Sequence, residues 1–473
     1  MIFRLALALT VLLATFSTPA ATRAQLPFAY LSPRPDARFV STSTTIVVRS
    51  AHVLQPRTIA ATTFSVAGSA SGIHTGHVSL ARDGRTVIFA PERPFLAGER
   101  VHVTIRPGMR TAAGDALEGM EWRFRTSAST CAAPSRGPSG WRQGCAGPRP
   151  DRLTERAGAP AVPNSAPLAA RAPAYATVPH DFPTITTTLL SPEVADGSLF
   201  LANFTWATTD TKPYLLILDN SGQPVYYKRF TPGTIVADFR KQPNGLLTYY
   251  DGEAGLYRAM DRTYTVVDSY QTGNGYQTDL HDLQLLPNGH ALLMSYDPQT
   301  VDMSRIVPGG HPTATVIGLI IQELDTAKNV VFEWRSWDHF AITDTVAALT
   351  TETVDYVHGN AVELDSDGNL LLSSRHLNEI TKINRETGDV IWRWGGKRNQ
   401  FVFSNDEPFV YQHDVRRLPN GNITLFDNRT LETPEYSRAV EYHLDEERKV
   451  VTLVREYRNT PDTYSQAMGN AQR

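Results

Sequence analysis

Short runs of alternating apolar and polar residues occupy the sequence from Phe28 to Thr126. Residues 45–48, 86–89 and 101–105 are examples, and Gly-containing turn sequences separate them. Alternation with a period of two predicts half-buried strands. About 100 residues of strands at this spacing predict a β-sandwich, which we place at residues 27–127.

A second pattern, an internal repeat, occupies residues 181–473. Residues 237–245, 281–289 and 413–421 align with one another, and a fourth copy at 358–368 is two residues longer. Each copy ends in Asn-Gly or Asp-Gly before an apolar run, which predicts a two-residue hairpin turn. Hairpin units at roughly 45 to 50 residues predict a β-propeller of about six blades. The fold class is therefore all-β.

Residues 128–180 separate these two regions and differ in composition. Nine prolines and 12 alanines fall within residues 131–180, so this stretch predicts a linker. It contains both cysteines of the chain, Cys131 and Cys145. In an oxidising compartment they would close a small loop; two free thiols are the alternative.

Residues 1–24 have the pattern of a secretory signal peptide. Arg4 precedes an apolar run at 5–16, and small residues lie just before Gln25. This run is too short to span a bilayer, and no other apolar stretch approaches about 18 residues. We expect no membrane span and a protein exported to the periplasm or beyond; an N-terminal anchor is the alternative.

The overall composition limits the kinds of molecule that the protein is expected to bind. The chain has 41% hydrophobic and 20% charged residues and a net charge of -3. Proteins that bind nucleic acid carry a basic excess, which is absent here. Nucleic acid is therefore not an expected partner.

The repeat carries the candidate chemistry. His281, His358 and His413 occupy equivalent positions, where the first copy has Ala237. A propeller brings equivalent positions of its inner strands towards one axis, and Arg375 ends the strand after His358. Three histidines suit a metal or a small anion, but a guanidinium beside a dication is unfavourable. We therefore favour an anion and expect no metal or other cofactor.

Five histidines share no repeat position and are not expected to be ligands or catalysts: His290, His311, His339, His376 and His443.

Four motifs in this order resemble those of the PAPS-independent aryl-sulfate sulfotransferases. They lie at residues 358–360, 373–376, 387–396 and 411–414, the last leading to 425–428. Residues 31–35, 89–91, 96–99 and 122–126 make the sandwich region similar to bacterial Ig-like domains.

The resemblance implies a six-bladed propeller and a ping-pong transfer of a sulfuryl group from an aryl sulfate to a phenol. His413 would be the nucleophile, and His281, His358 and Arg375 would hold the sulfonate oxygens. Asn360 matches the His-x-Asn pattern of the family and would be an auxiliary hydrogen-bond donor. A nucleophilic imidazole must be neutral, and Asp414 or another carbonyl would fix its tautomer.

One feature departs from the family, whose known periplasmic members have a disulfide near the catalytic histidine. Both cysteines here lie in the linker. Two other functions remain as alternatives: a non-catalytic binding or scaffold protein of the cell surface, and a metal- or quinone-dependent propeller enzyme.

Overall fold

The computed structural model describes residues 27–128, 178–187, 194–203, 212–430 and 432–471. The predicted signal peptide, most of the predicted linker, Cys131 and Cys145 lie outside the described residues. No helix among the described residues is long and apolar enough to cross a membrane.

The N-terminal region is a sandwich of two antiparallel sheets. Its strands are β1 (Tyr30–Ser32), β2 (Ile46–Arg49), β3 (Phe64–Gly68), β4 (Gly72–His74), β5 (Gly76–Leu80), β6 (Thr86–Pro91), β7 (Arg100–Ile105) and β8 (Met120–Arg125). The strand orders are β1-β2-β6-β5 and β4-β3-β7-β8. Alternate residues such as Val101, Val103 and Phe124 are buried between the sheets, as the alternating pattern predicts.

The remaining strands form five sheets within the described residues. They are β9 (Leu199–Asn203), β10 (Tyr214–Leu218), β11 (Pro224–Arg229), β12 (Val236–Lys241), β13 (Leu247–Asp251), β14 (Leu256–Met260), β15 (Val266–Tyr270), β16 (Leu283–Leu285), β17 (Ala291–Val301), β18 (Ala314–Leu324), β19 (Val330–Arg335), β20 (Thr353–Asp355), β21 (Gly359–Leu364), β22 (Leu370–Ser374), β23 (Glu379–Ile383), β24 (Val390–Gly395), β25 (Val402–Phe403), β26 (His413–Arg417), β27 (Ile423–Asp427), β28 (Arg438–Asp445) and β29 (Val450–Tyr457).

These sheets follow one plan, in which consecutive strands pair antiparallel. The orders are β11-β10-β9, β12-β13-β14-β15, β16-β17-β18-β19, β21-β22-β23-β24 and β25-β29-β28-β27-β26, while β20 pairs with β18. Six short 3-10 helices complete the elements: Pro56–Thr58, Ala61–Thr63, Met303–Arg305, Ser336–Asp338, Ile342–Asp344 and Arg375–Leu377. The all-β, propeller-like class is confirmed; the number of six blades stays a prediction.

The repeat turns differ from the predicted two-residue form. Gly245 donates its N–H to the carbonyl of Gln242, and Gln242 donates to that of Leu246. Gly245 has a φ of 86°, whereas Asn244 is not among the described residues with positive φ. This is a three-residue loop with a left-handed glycine, because a two-residue type I′ turn needs positive φ at both central residues.

Repeated aspartates join the first strand of one sheet to the first strand of the next. Asp238 Oδ2 accepts the backbone N–H of Leu283 at 3.1 Å, and Asp282 Oδ2 accepts that of Val362 at 2.8 Å. These bonds tie β12 to β16 and β16 to β21. The aspartate in the repeat therefore sets the spacing of the sheets around a common centre.

Two arginines compensate the carboxylates buried at this centre. Arg240 lies 3.2 Å from Asp282, and Arg416 lies 3.0 Å from Asp282, 3.4 Å from Glu363 and 2.7 Å from Asp414. Burial alone would raise the pKa of Asp282, but the two guanidinium groups hold it below its ordinary value. Asp282 is thus a buried anion shared by two cations from neighbouring sheets.

The sandwich packs directly on the sheet that contains β19. Tyr30 Oη donates to the carbonyl of Glu333 at 2.9 Å and accepts its N–H at 2.7 Å. Arg49 donates to the carbonyl of Val331 at 3.0 Å. Tyr30 and Val47 also belong to the same hydrophobic cluster as the core of that sheet. The sandwich therefore contributes residues to the core of that sheet, while its own interior forms a separate cluster.

We predict that Asp282→Ala strongly destabilises the protein, because it leaves Arg240 and Arg416 buried without their shared carboxylate. Removing one partner of a buried ion pair costs about 3–5 kcal/mol of unfolding free energy. Thermal or urea unfolding measures this. Asp462→Ala, which removes an exposed partner of Arg458, is the control and should change little. Equal effects of the two substitutions would contradict the central role of Asp282.

Candidate active site

The structure brings His281, His358, Arg375 and His413 together. His281 precedes β16, His358 precedes β21, Arg375 follows β22, and His413 begins β26. The rings of His281 and His358 are 5.4 Å apart. The charges of Arg375, His281 and His358 all act on the pKa of His413. The convergence predicted from the repeat is therefore present in the structure.

His413 is buried and held as one tautomer. Its Nδ1–H donates to Asn428 Oδ1 at 2.7 Å and to the carbonyl of Tyr411 at 3.1 Å. Its Nε2 accepts the backbone N–H of Met468 at 3.3 Å. Burial and the nearby guanidinium of Arg375 lower the pKa of His413 well below its ordinary value. At neutral pH the ring is neutral, with the lone pair on Nε2.

The groups that fix the tautomer of His413 do not include Asp414, although Asp414 is the next residue in the chain. Asp414 does not contact the His413 ring; it pairs with Arg416 and lies 3.4 Å from the backbone nitrogen of Ala471. The carbonyl oxygens of Tyr411 and Asn428 take this place. Asn428 lies in a motif that the sequence singled out, but nothing in the sequence assigned it a contact with His413.

His281 has the opposite electrostatic character from His413. Its Nδ1 lies 2.8 Å from Asp279 Oδ2, and the backbone N–H of His281 donates to the same oxygen. Burial lowers the pKa of His281, but the Asp279 carboxylate outweighs burial and leaves the pKa above its ordinary value. His281 is therefore the histidine most readily protonated here, and sequence reasoning missed its partner Asp279.

His358 is the third histidine and pairs with Asp355. Its Nδ1 lies 2.6 Å from Asp355 Oδ2. Burial, together with the charges of His281 and Arg375, lowers the pKa of His358 well below its ordinary value. Two adjacent imidazolium ions would repel each other, and of these two rings His281 has the raised pKa and His358 the lowered one, so His281 is the one that a proton favours.

Arg375 is buried against His376 and Tyr411. Its Nη1–H donates to His376 Nε2 at 2.7 Å, and Nη2–H donates to the carbonyl of Gln466 at 3.3 Å. The guanidinium carbon lies 4.4 Å from the centre of the Tyr411 ring. His376, which was not expected to be a ligand or a catalyst, lies beside the site: burial lowers its pKa to about 3, so it is a neutral acceptor that orients Arg375.

Asn360 lies on β21 beside the strand that carries His413. Its Nδ2–H donates to the carbonyl of Gln412 at 2.7 Å. Its Oδ1 is buried without a hydrogen-bond partner among the described residues. Asn360 thus links two neighbouring sheets near His413, and its contact with a substrate stays a prediction.

Asp355, His358 and His376 form one cluster whose ligating atoms lie within 4.8 Å of one another. Its donor set does not fit a metal. His376 Nδ1–H donates to the carbonyl of Asp355, while Nε2 accepts from Arg375. Both nitrogens of this ring are occupied, and a guanidinium beside a dication is unfavourable. The arrangement suits a small oxyanion instead.

A propeller-like fold with a neutral buried imidazole beside cationic donors defines a group-transfer enzyme for a small oxyanion. Residues 186–473 match the family model described as Arylsulfotransferase (ASST), so the chain belongs to this family of PAPS-independent aryl-sulfate sulfotransferases. Residues 24–126 match the model of a bacterial Ig-like domain. The predicted family and the Ig-like region are both confirmed.

The similarities to solved structures are weak. A protein of unknown function from Bacteroides caccae has 12% identity and a TM-score of 0.31, over 52% of this chain and 68% of that one. Virginiamycin B lyase from Staphylococcus aureus has 8% identity and a TM-score of 0.29, over 59% and 75%. The copper resistance protein PcoC from Escherichia coli has 12% identity and a TM-score of 0.18, over 21% and 98%. TM-scores this low support no inference about activity. None of the curated proteins matches this chain.

We predict that Asp279→Asn lowers the pKa of His281, because an amide at Nδ1 no longer stabilises the imidazolium ion. Titration of the histidine ring signals by NMR measures this change. The control is Asp302→Asn, a surface substitution beside Arg305, which should leave the His281 signal unchanged. An unaltered His281 titration in Asp279→Asn would contradict the assigned source of the raised pKa.

Proposed function

We propose that this protein transfers a sulfuryl group from an aryl sulfate to a phenolic acceptor by a ping-pong mechanism through sulfo-His413. The observation that carries the proposal is the state of the His413 ring. Nδ1–H is committed to Asn428 and Tyr411, which leaves the lone pair on Nε2. Neutral imidazole with a free lone pair is a nucleophile for this chemistry.

The surrounding cations supply the stabilisation that the transfer needs. By analogy with phosphoryl transfer, a loose transition state carries charge on three equatorial oxygens and needs donors placed around them. Arg375 offers a planar set of N–H donors, and protonated His281 offers a further one. Arg375 is held by His376 and the carbonyl of Gln466, and His281 by Asp279 at Nδ1. The oxygens of a donor sulfate would replace the carbonyl of Gln466 and accept from Nε2 of protonated His281.

In the first half-reaction, the Nε2 lone pair of His413 forms the N–S bond as the bond between sulfur and the aryl oxygen breaks. The aryl oxygen leaves with that electron pair and takes the proton of His281. A phenolate is a moderately basic leaving group, so protonation assists its departure. His413 keeps its Nδ1 proton throughout and becomes a sulfo-imidazolium ion.

In the second half-reaction, neutral His281 accepts the proton of the acceptor phenol. The phenol oxygen then forms the new S–O bond, and the N–S electron pair returns to His413 Nε2. The cycle restores charged His281 and neutral His413, so atoms and charges balance. The backbone N–H of Met468 contacts Nε2 in the structure and must yield this position to the sulfur atom.

The proposal includes export. Arg4, the apolar run at 5–16 and the small residues before Gln25 support a cleaved signal peptide. An exported enzyme would meet aryl sulfates and phenols outside the cytoplasm, where a mechanism that needs no nucleotide donor is an advantage. We also propose that the sandwich domain ends at residue 127 and that the propeller domain begins at residue 181.

We predict that purified protein releases 4-nitrophenol from 4-nitrophenyl sulfate when a phenol is added, and that His413→Ala abolishes this release. Removal of a covalent nucleophile eliminates the pathway rather than slowing it. Absorbance of 4-nitrophenolate measures the release. Brief exposure to donor without acceptor should add the mass of one SO3 group to the peptide that contains His413.

The matched control is His443→Ala, which removes an exposed histidine from the same sheet and should leave turnover intact. Full activity of His413→Ala would reject the mechanism. Absence of turnover by the intact protein, with retained binding of an aryl sulfate, would favour the binding-protein alternative. Activity that depends on added metal or on a coloured cofactor would favour a metal- or quinone-dependent propeller enzyme.

A further inference from the structure

Asn428 is a buried residue that follows β27 and faces His413. Its side chain is fully inaccessible to solvent. Oδ1 lies 2.7 Å from His413 Nδ1, while Nδ2 donates to the carbonyls of Ser465 and Met468, each at 2.9 Å. Of these three contacts, one reaches the proposed nucleophilic ring itself and another reaches Met468, whose N–H contacts the ring at Nε2.

These contacts fix which end of the Asn428 amide faces the histidine. A reversed amide would place its NH2 group against His413 and its oxygen against two carbonyl oxygens. That orientation loses two hydrogen bonds and creates a buried repulsion, so Oδ1 must face Nδ1. An oxygen at this place accepts only from a protonated Nδ1.

The three histidines of the site differ in the partner of their Nδ1 atom. His281 faces the carboxylate of Asp279, and His358 faces that of Asp355. His413 alone faces an uncharged amide oxygen. A carboxylate stabilises the imidazolium ion, which has no free lone pair on Nε2. Asp279 raises the pKa of His281 in this way, whereas at His358 burial and the charges of His281 and Arg375 dominate. An amide fixes the tautomer without that cost.

We propose that Asn428 is a positioning residue that holds His413 in the Nδ1–H tautomer without placing a negative charge beside the ring, so that the Nε2 lone pair faces the sulfuryl donor. The catalytic consequence rests on the proposed function. The orientation and protonation of the ring can be measured without any turnover.

Two substitutions separate tautomer control from charge control. Asn428→Leu has similar size but no acceptor, so we expect the rate constant for sulfurylation of His413 to fall by roughly 10²-fold or more. Asn428→Asp keeps an acceptor but adds a charge beside the ring. We therefore expect its activity to persist at high pH, with the acid limb of kcat/KM displaced upward by about one pH unit or more.

The acid limb moves to higher pH in Asn428→Asp because His413 must lose its Nε2 proton before Nε2 can attack the sulfur atom. A raised pKa keeps His413 protonated to a higher pH, so activity is lost below that pKa and recovered above it. Asn428→Leu supplies no negative charge and should not move the limb upward. If Asn428 only supported the local structure, Asn428→Leu and Asn428→Asp would not differ in the position of the acid limb.

Thr430→Val is the matched control. Thr430 Oγ1 donates to the carbonyl of Gln466 at 2.7 Å, so it holds the same segment as Asn428. Thr430 has no described hydrogen bond to His413. Valine has nearly the same shape, and we expect an unchanged pH profile and an unchanged His413 tautomer.

NMR of protein labelled with 15N-histidine gives a readout that is independent of activity. We expect an Nδ1–H, Nε2-unprotonated pattern for His413 in the intact protein, a mixed pattern in Asn428→Leu, and in Asn428→Asp a ring that becomes protonated at a higher pH than in the intact protein. These patterns in a protein without sulfotransferase activity would support the positioning role and reject the proposed function.

Three results would overturn the inference. The first is an identical His413 pattern in the intact protein and both Asn428 variants. The second is an unshifted acid limb in Asn428→Asp. The third is a Thr430→Val variant that reproduces the Asn428→Leu pattern, because the segment rather than the amide would then control the ring. If Asn428→Leu does not fold, Asn428→Asp still tests the charge.

Discussion

The buried carboxylate of Asp282 is the interaction on which the arrangement of the site depends. It accepts the N–H of Val362 and lies between Arg240 and Arg416, so it connects β12, β16, β21 and β26. His281 precedes Asp282 in the chain. The residue that ties the sheets together and the residue that enters the site are therefore adjacent, and any displacement of one moves the other.

This adjacency explains why the repeat encodes both structure and chemistry. The copy at 237–245 keeps the aspartate and replaces the histidine by Ala237, and Asp238 still bonds to the next sheet at Leu283. The aspartate belongs to the scaffold, whereas the histidine is free to vary with function. The packing of the sheets therefore does not require a histidine at this position, which is consistent with the proposed role of the three histidines in the site.

The sequence was sufficient to predict the all-β class, the sandwich and the convergence of four site residues. These features follow from patterns that repeat along the chain. The partners of the histidines were not predictable in the same way, because Asp279 and Asp355 lie just before the repeats and have no repeated spacing. His376 was excluded for the same reason, although it orients Arg375.

Local turn geometry was also missed. Asn-Gly favours a two-residue turn in isolation, but here a bond from Gln242 to Leu246 extends the hairpin by one residue. Asn428 was missed despite lying in a recognised motif, since its role depends on a carbonyl from Met468, 40 residues further along the chain. Contacts of this kind exist only after the chain has folded.

Arg375 connects the two requirements of the proposed transfer. Its charge is the second cause, after burial, of the lowered pKa of His413, so it helps to keep the nucleophile deprotonated. The same charge would stabilise the sulfonate oxygens in the transition state. A neutral acceptor at His413 Nδ1 is a necessary complement, because a carboxylate there would oppose the effect of Arg375 on the ring. The hydrogen bond from Asn428 itself raises the pKa of His413, but burial and Arg375 outweigh it. Asn428 therefore sets the tautomer of the ring, while burial and Arg375 set its charge.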